Sequence, residues 1–300
     1  YAVAGKALVF ERDGNGCGRD GVRWGGEGLY VGCAPDTVRR GGGPLHERLA
    51  SLSPLSLQGG EAAFREPWRL AHALLLKLGI GTEQIKAVLS GAGGESDAGA
   101  PDGEKPFDPP LSWLPEYAGA ARLMPTMLER GINSPISTSC GRLFDAVSAL
   151  LGLCNTSTYE GQAAIRLEEA QEVSEREWAD LSEGGYSRWM ERYALYPCPV
   201  KCNDGGKGPS LVLESHKLFA SVYDGWIKKT PIAVIARSFH ASLAAGLIEL
   251  ARNLAGRKHV KHIALSGGCM QNMTLAFLLE QGLAASGLTT LPHRHIPPGD

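Results

Sequence analysis

Three hundred residues, 43% of them apolar, exceed one typical domain and fit two lobes or one large α/β domain. Thirty basic side chains against 32 acidic ones leave a formal net charge of −2, so charge makes no case for nucleic acid or an anionic membrane as partner. Seven scattered cysteines, an odd number, argue for a reducing cytoplasm over a disulfide framework. No apolar run approaches the roughly 18 residues of a membrane span, and no signal peptide is visible.

In chain order, Lys6–Phe10 reads as a buried strand and Gly28–Gly32 as its antiparallel partner. Between them Asp13-Gly14-Asn15-Gly16 supplies hairpin-turn pairs with more glycine than one turn needs. The surplus fits either a plain hairpin or one whose backbone amides meet an anion. A calcium loop fails, because Cys17 and Trp24 stand where its oxygen ligands belong. Glu61–Leu78 reads as a helix with Pro67 in its first turn, and residues 91–110 as an exposed loop. Helical character returns over 114–130.

The helix that follows carries apolar residues at Leu143, Phe144, Val147, Leu150 and Leu151, a one-sided stripe capped by Ser139 and ended by Gly152. Asp145 lies at the edge of that stripe, where a carboxylate needs a partner or a cavity. Tyr159-Glu160-Gly161-Gln162 then makes a turn whose glycine lets a ligand approach the backbone. Ala163–Val173 and Glu175–Leu181 read as helices, and Tyr186–Ser210 as a surface excursion. Cys198 and Cys202, with no second pair nearby, make a poor zinc site. Pro231–Leu254 is a long amphipathic helix bearing His240, read as a packed histidine.

His262–Ser266 is a strand, Gly267-Gly268 a turn, and Met270–Ala285 a helix, a unit suited to an anion or nucleotide at the helix start. Thr289–Leu291 is one more strand. His293 and His295 share a strand face and can bind metal together, though exposed polar residues are commoner there. The first residues lack a Met, and the chain stops at Pro297-Pro298-Gly299-Asp300, so both ends read as cut.

Together these segments resemble the HypF carbamoyltransferase family, relatives of the TsaD-type tRNA-modification proteins. The matching text is Asp13-Gly-Asn-Gly-Cys-Gly18, Asp20-Gly21, Trp24-Gly-Gly-Glu27, Arg65-Glu-Pro-Trp-Arg69, Ser134-Pro135 and Gly141-Arg-Leu-Phe-Asp-Ala146. It continues with Tyr159-Glu-Gly-Gln-Ala-Ala164, Phe239-His240, Ser266-Gly-Gly-Cys-Met-Gln-Asn272 and Pro297-Pro-Gly-Asp300. The resemblance implies an α/β, actin-like (ASKHA, RNase H-like) two-lobed fold with an incomplete first lobe. Residues 1–135 would be the rest of that lobe, with a phosphate-binding hairpin, and 136–300 the second lobe with its nucleotide loop.

The implied nucleotide-binding residues are Asp13, Gly14, Asn15, Gly16, Asp145, Gly161, Gln162, Gly267, Gly268 and Asn272. The implied chemistry passes a carbamoyl group from carbamoyl adenylate, made from ATP by a YrdC-like domain of the same polypeptide, to the C-terminal cysteine of HypE. That group becomes the cyanide ligand of nickel–iron hydrogenase. The acceptor thiol comes from the partner, so Cys140 reads as structural although it opens a helix. The family also binds a divalent metal, iron or zinc, through an upstream histidine cluster and the aspartate matched by Asp300. That cluster is absent from residues 1–5, so the fragment is expected not to complete the metal site. A small-molecule O-carbamoyltransferase and a non-catalytic actin-like scaffold are the competing readings.

Overall fold

A computed structural model describes residues 6–18, 20–32, 45–81, 116–203 and 208–291, with the side chains of 12–17 and of residue 45 left aside. The chain opens as an antiparallel hairpin of β1 (Lys6–Cys17) and β2 (Arg23–Gly32), in the register Lys6↔Gly32 to Glu11↔Glu27. The expected strands are there, but the turn is not at Asp13–Gly16. Those four residues continue β1, and between the pairs Arg12↔Gly26 and Gly16↔Trp24 the register shifts. The surplus residues are absorbed as a bulge. The chain reverses instead at Asp20-Gly21: Asp20 Oδ1 accepts from Val22 N at 3.1 Å and Gly21 takes φ +78°.

The hairpin is the middle of a larger sheet in the order β6–β7–β3–β2–β1–β8–β9. Its other strands are β3 (Leu45–Leu52), β6 (Val200–Cys202), β7 (Leu211–Leu213), β8 (His262–Ser266) and β9 (Thr289–Leu291). Two-residue strands β4 (Leu55–Ser56) and β5 (Ile136–Ser137) pair beside it. β1 runs parallel to β8, which runs parallel to β9. The sheet therefore crosses the expected boundary at residues 135/136.

The helices are α1 (Ala62–Arg65), α2 (Trp68–Lys77), α3 (Ala118–Glu129), α4 (Cys140–Leu150), α5 (Gln162–Glu169), α6 (Glu175–Asp180), α7 (Tyr186–Tyr193), α8 (Ser215–Ile227), α9 (Ile232–Lys258) and α10 (Met273–Ala285). α4 packs against α2, α5 and α8, and all eleven of its residues are buried, so the one-sided stripe understates it. α9, at 27 residues, is long and apolar enough to cross a membrane by composition, but 67% of its apolar window is buried inside the fold; it is a core helix.

Three expectations need correcting. Residues 61–78 form two helices, because Pro67 disfavours helical backbone at Glu66 and becomes the N-cap of α2. Tyr186–Ser210 is no mere surface excursion: Tyr186, Trp189 and Tyr193 lie on one face of α7, which packs on α9. The last helix begins at Met273, after a 3-10 turn over Gly268–Gln271.

Candidate functional site

α4 supplies the central group. Ser139 Oγ accepts from Arg142 N at 3.2 Å, capping the helix as its sequence foretold. One turn on, Arg142 Nη1 stands 2.7 Å from Asp145 Oδ2, and the guanidinium lies 4.9 Å over the Phe64 ring. Both side chains are almost fully buried. Burial pushes the Asp145 carboxyl up, Arg142 pulls it back down, and Glu160 pushes it up again. Oδ2 has this ion pair but no aligned hydrogen bond, which leaves acceptor capacity on the carboxylate.

Asp145 lines a cleft of about 510 Å³ together with Gly141 and Phe144 of α4. The second wall is the turn into α5: Glu160, Gly161, Ala164, Ile165 and Glu168. The last four recur at i, i+3, i+4 and i+7, one helix face. Gly161 is the N-cap of α5 at φ +76°, the left-handed region that glycine enters without strain. Gln162 is buried and turned away from the cleft; its Oε1 accepts from Thr158 N at 2.7 Å and closes the turn.

The third wall is the loop after β8, with Gly268, Cys269, Gln271 and Asn272. Gly267 lies just before them at φ 97°, ψ 159°, outside the cleft lining. Asn272 Oδ1 accepts from Leu275 N at 2.8 Å, capping α10, and its Nδ2 stands 3.0 Å from His240 Nε2. His240 Nδ1 is 2.8 Å from the Ala236 carbonyl, which can only accept, so Nδ1 carries the proton and Nε2 accepts from Asn272. Burial lowers this histidine to about 4, so it stays neutral, the packed residue its sequence context indicated.

The first-turn amides of α10, read from sequence as an anion site, already have acceptors. Thr274 N donates to Glu168 Oε1 at 3.1 Å, and Met273 N donates to the same side chain. Burial raises the Glu168 carboxyl while these two amides pull it down. Glu168 was missed in the sequence, although its helical spacing from Gly161 was the signal. Earlier in the same loop, Gly267 O accepts from Met270 N at 2.9 Å and closes the 3-10 turn.

Asp13, Gly14, Asn15 and Gly16 are placed by their backbone. β1 pairs with β8 as far as Glu11↔Ser266, so residues 12–16 continue beside the loop that leaves Ser266. Both strands run out at one sheet edge, the carboxyl ends where open α/β sheets hold ligands. Asp300, His293 and His295 lie outside the described residues. Among the described residues no group of three His, Cys, Asp or Glu can hold a metal ion.

Two other motifs hold the frame. Glu27, fully buried, accepts from Gly26 N at 2.7 Å, from Arg48 Nη2 at 2.9 Å and from Thr138 Oγ1. It ties β2 to β3 and to the residue before Ser139. In Arg65–Arg69, Trp68 is buried and stacks on Tyr117, and Arg65 O accepts from Ser157 N at 2.8 Å, anchoring the loop that leads to Gly161.

Residues 9–300 match the family described as "Carbamoyltransferase, Kae1-like Domain, second subdomain". The chain belongs to the Kae1-like carbamoyltransferase domain of the HypF family. Carbamoyltransferase HypF2 of Cupriavidus necator is 33% identical over 98% of this chain and 32% of its own length. A HypF homolog of the same organism is 34% identical over 100% of this chain and 64% of its own length. Full-length HypF in a phosphate- and nucleotide-bound form superimposes with a TM-score of 0.72 at 23% identity, over 99% of this chain and 32% of that one. T. kodakarensis HypF gives 0.71 at 24%. The fold is thus the actin-like α/β fold of HypF. The chain spans about a third of HypF2 and of the crystallised HypF chains.

Proposed function

We propose that this HypF-type domain binds carbamoyl adenylate and passes its carbamoyl group to the C-terminal cysteine thiol of HypE, toward the cyanide ligand of nickel–iron hydrogenase. The adenylate is supplied from ATP and carbamoyl phosphate by a YrdC-like domain of the same polypeptide, in the cytoplasm. One observation carries this reading: residues 141–145, 160–168 and 268–272, separate in sequence, wall one cleft of nucleotide size.

In the transfer the HypE thiolate attacks the carbamoyl carbon. The C–S bond forms, the C–O bond to phosphate breaks, and AMP leaves with that electron pair. The domain's part is to hold the adenylate still and to meet developing charge with fixed dipoles. Asp145 accepts from a ribose hydroxyl. Gly161 lets the sugar approach the backbone, and Gln162 locks that turn. Gly267, Gly268 and the hairpin residues Asp13, Gly14, Asn15 and Gly16 turn backbone amides to the phosphate, and Asn272 holds the loop in place. A divalent metal, iron or zinc, would take Asp300 as a hard oxygen ligand alongside groups outside the described residues.

The test is transfer of labelled carbamoyl to a HypE tail by full-length protein, with AMP binding to this chain measured in parallel. Asp145→Asn, which keeps the shape, should weaken AMP by roughly tenfold or more, as loss of a charged acceptor does. Unchanged binding and transfer in that variant would refute the role of Asp145.

A further inference from the structure

Arg142 does not line the cleft, but it reaches the central carboxylate of the cleft from behind. Its Nη1 stands 2.7 Å from Asp145 Oδ2, and both side chains are buried. Two supports hold it there. Ser139 Oγ accepts from the Arg142 amide in the first turn of α4, and the Phe64 ring of α1 lies 4.9 Å from the guanidinium carbon. We propose that Arg142 is a positioning residue for the nucleotide: it keeps the Asp145 carboxylate charged and turned so that it can accept from the ligand.

A carboxylate buried this deeply gives up its charge unless a cation stands beside it. Burial is the largest influence on Asp145 and pushes its carboxyl up; Arg142 pulls it down, and Glu160 pushes it up again. Glu160 and Glu168 line the same cleft, so the facing wall is acidic and Arg142 supplies the opposing charge. The Cys154 and Cys269 thiols also sense this carboxylate, and both are raised above their ordinary values, so they stay neutral near pH 7. Charge decides what Asp145 can do. A carboxylate accepts through both oxygens, as a ribose hydroxyl requires, whereas a carboxylic acid turns one oxygen into a donor.

Geometry adds to charge. A guanidinium is a planar fork, and one stacked on an aromatic ring holds its partner in one orientation. This gives the Arg65–Arg69 motif a part in the cleft. α1 ends at Arg65, directly after Phe64, and Arg65 O accepts from Ser157 N at 2.8 Å. The ring behind Arg142 and the loop that leads to Glu160 and Gly161 are thereby tied together.

The inference rests on the cleft's being the nucleotide site. The experiment measures AMP affinity of the whole 300-residue chain from pH 6 to pH 9, as the ratio of native to variant, which cancels the titration of AMP itself. In Arg142→Met the ratio should be at least about tenfold at pH 6 and fall to about threefold or less at pH 9, because the buried carboxyl now keeps its proton to higher pH. Arg142→Gln, which still donates to the carboxyl but carries no charge, should give the same trend should Arg142→Met not fold. Arg142→Lys restores a cation without the fork, so its ratio should stay flat with pH. Added to Asp145→Asn, Arg142→Met should change the affinity by less than about threefold at every pH, since no carboxylate remains to be held. A flat ratio in the neutral variants, a lysine variant as pH-dependent as they are, or an equal loss in the Asp145→Asn background would each overturn the proposal. The carbon-13 carboxyl signal of Asp145 reads the same link without ligand. Its titration midpoint should rise in Arg142→Gln and stay near the native value in Arg142→Lys; an unmoved midpoint in Arg142→Gln also overturns the proposal. If the native chain binds no AMP at any pH, the nucleotide reading falls, while the carboxyl titration still decides whether Arg142 holds the charge of Asp145.

Discussion

At the residue scale, buried titratable groups set the behaviour of the cleft wall. Asp145 and Arg142 are buried together, so their attraction offsets two desolvation penalties and leaves little net stability. Removing one partner is a different matter. Asp145→Ala strands a buried guanidinium and should lower stability by about 3–5 kcal/mol, whereas Arg142→Met with Asp145→Leu should recover most of that. Urea midpoints of the three proteins decide it; equal losses in the single and double variants would show that the pair is not coupled. His240 and His72 give a pH signature. Burial lowers each from 6.5 to about 4. As pH falls below 6.5 the unfolded chain takes up protons that the folded chain refuses until about 4. Stability is therefore full above 6.5 and declines through that window, by up to about 3 kcal/mol per histidine. His72 contacts Met124 Sδ at 3.2 Å and lies away from the cleft lining. His72→Leu should flatten the decline by about half, read as urea midpoint against pH.

At the scale of elements, the second wall depends on how α5 starts and how α10 is capped. An alanine Cβ at Gly161 would meet nothing within 4 Å, so Gly161→Ala isolates backbone strain at φ +76° and should cost about 1 kcal/mol. Glu168→Ala leaves Thr274 N without its acceptor, a lost cap also worth about 1 kcal/mol. Thermal unfolding of both variants checks these values, and a loss above about 3 kcal/mol in Gly161→Ala would mean hidden contacts. Much of this level was legible in the chain. Ser139 announced the start of α4, the Val/Ile/Leu-type runs of β1 and β8 their burial, and Gly161 its turn. What local pattern hid were features made by distant partners. Glu168 drew no reading of its own because the amides it accepts from lie on α10, more than a hundred residues on, and Asp13–Gly16 looked like a turn because dipeptide signals carry no register.

At the scale of the whole molecule, the cleft is held in shape by a carboxylate outside it. Glu27 lies on β2, yet its two oxygens serve the backbone of its own strand, Arg48 on β3 and Thr138, one residue before the cap of α4. Arg48 carries the connection outward to Asp20 in the hairpin turn at 2.7 Å and lies 4.5 Å over Trp24. The hairpin, the sheet centre and the entrance to α4 thus share one buried charge pair. Glu27→Ala would leave the Gly26 amide and the Arg48 guanidinium without this acceptor, in a region where water cannot replace it. Breaking a buried pair from one side costs about 3–5 kcal/mol, a large fraction of the 5–15 kcal/mol that holds a domain folded. Because the network joins elements rather than decorating one, the loss should appear as a lower midpoint of a single urea transition. Amides at the start of α4 should exchange faster together with those of β2 and β3. A separate early transition confined to β1 and β2, with α4 still protected, would show instead that the hairpin is an independent unit and that Glu27 does not set the cleft.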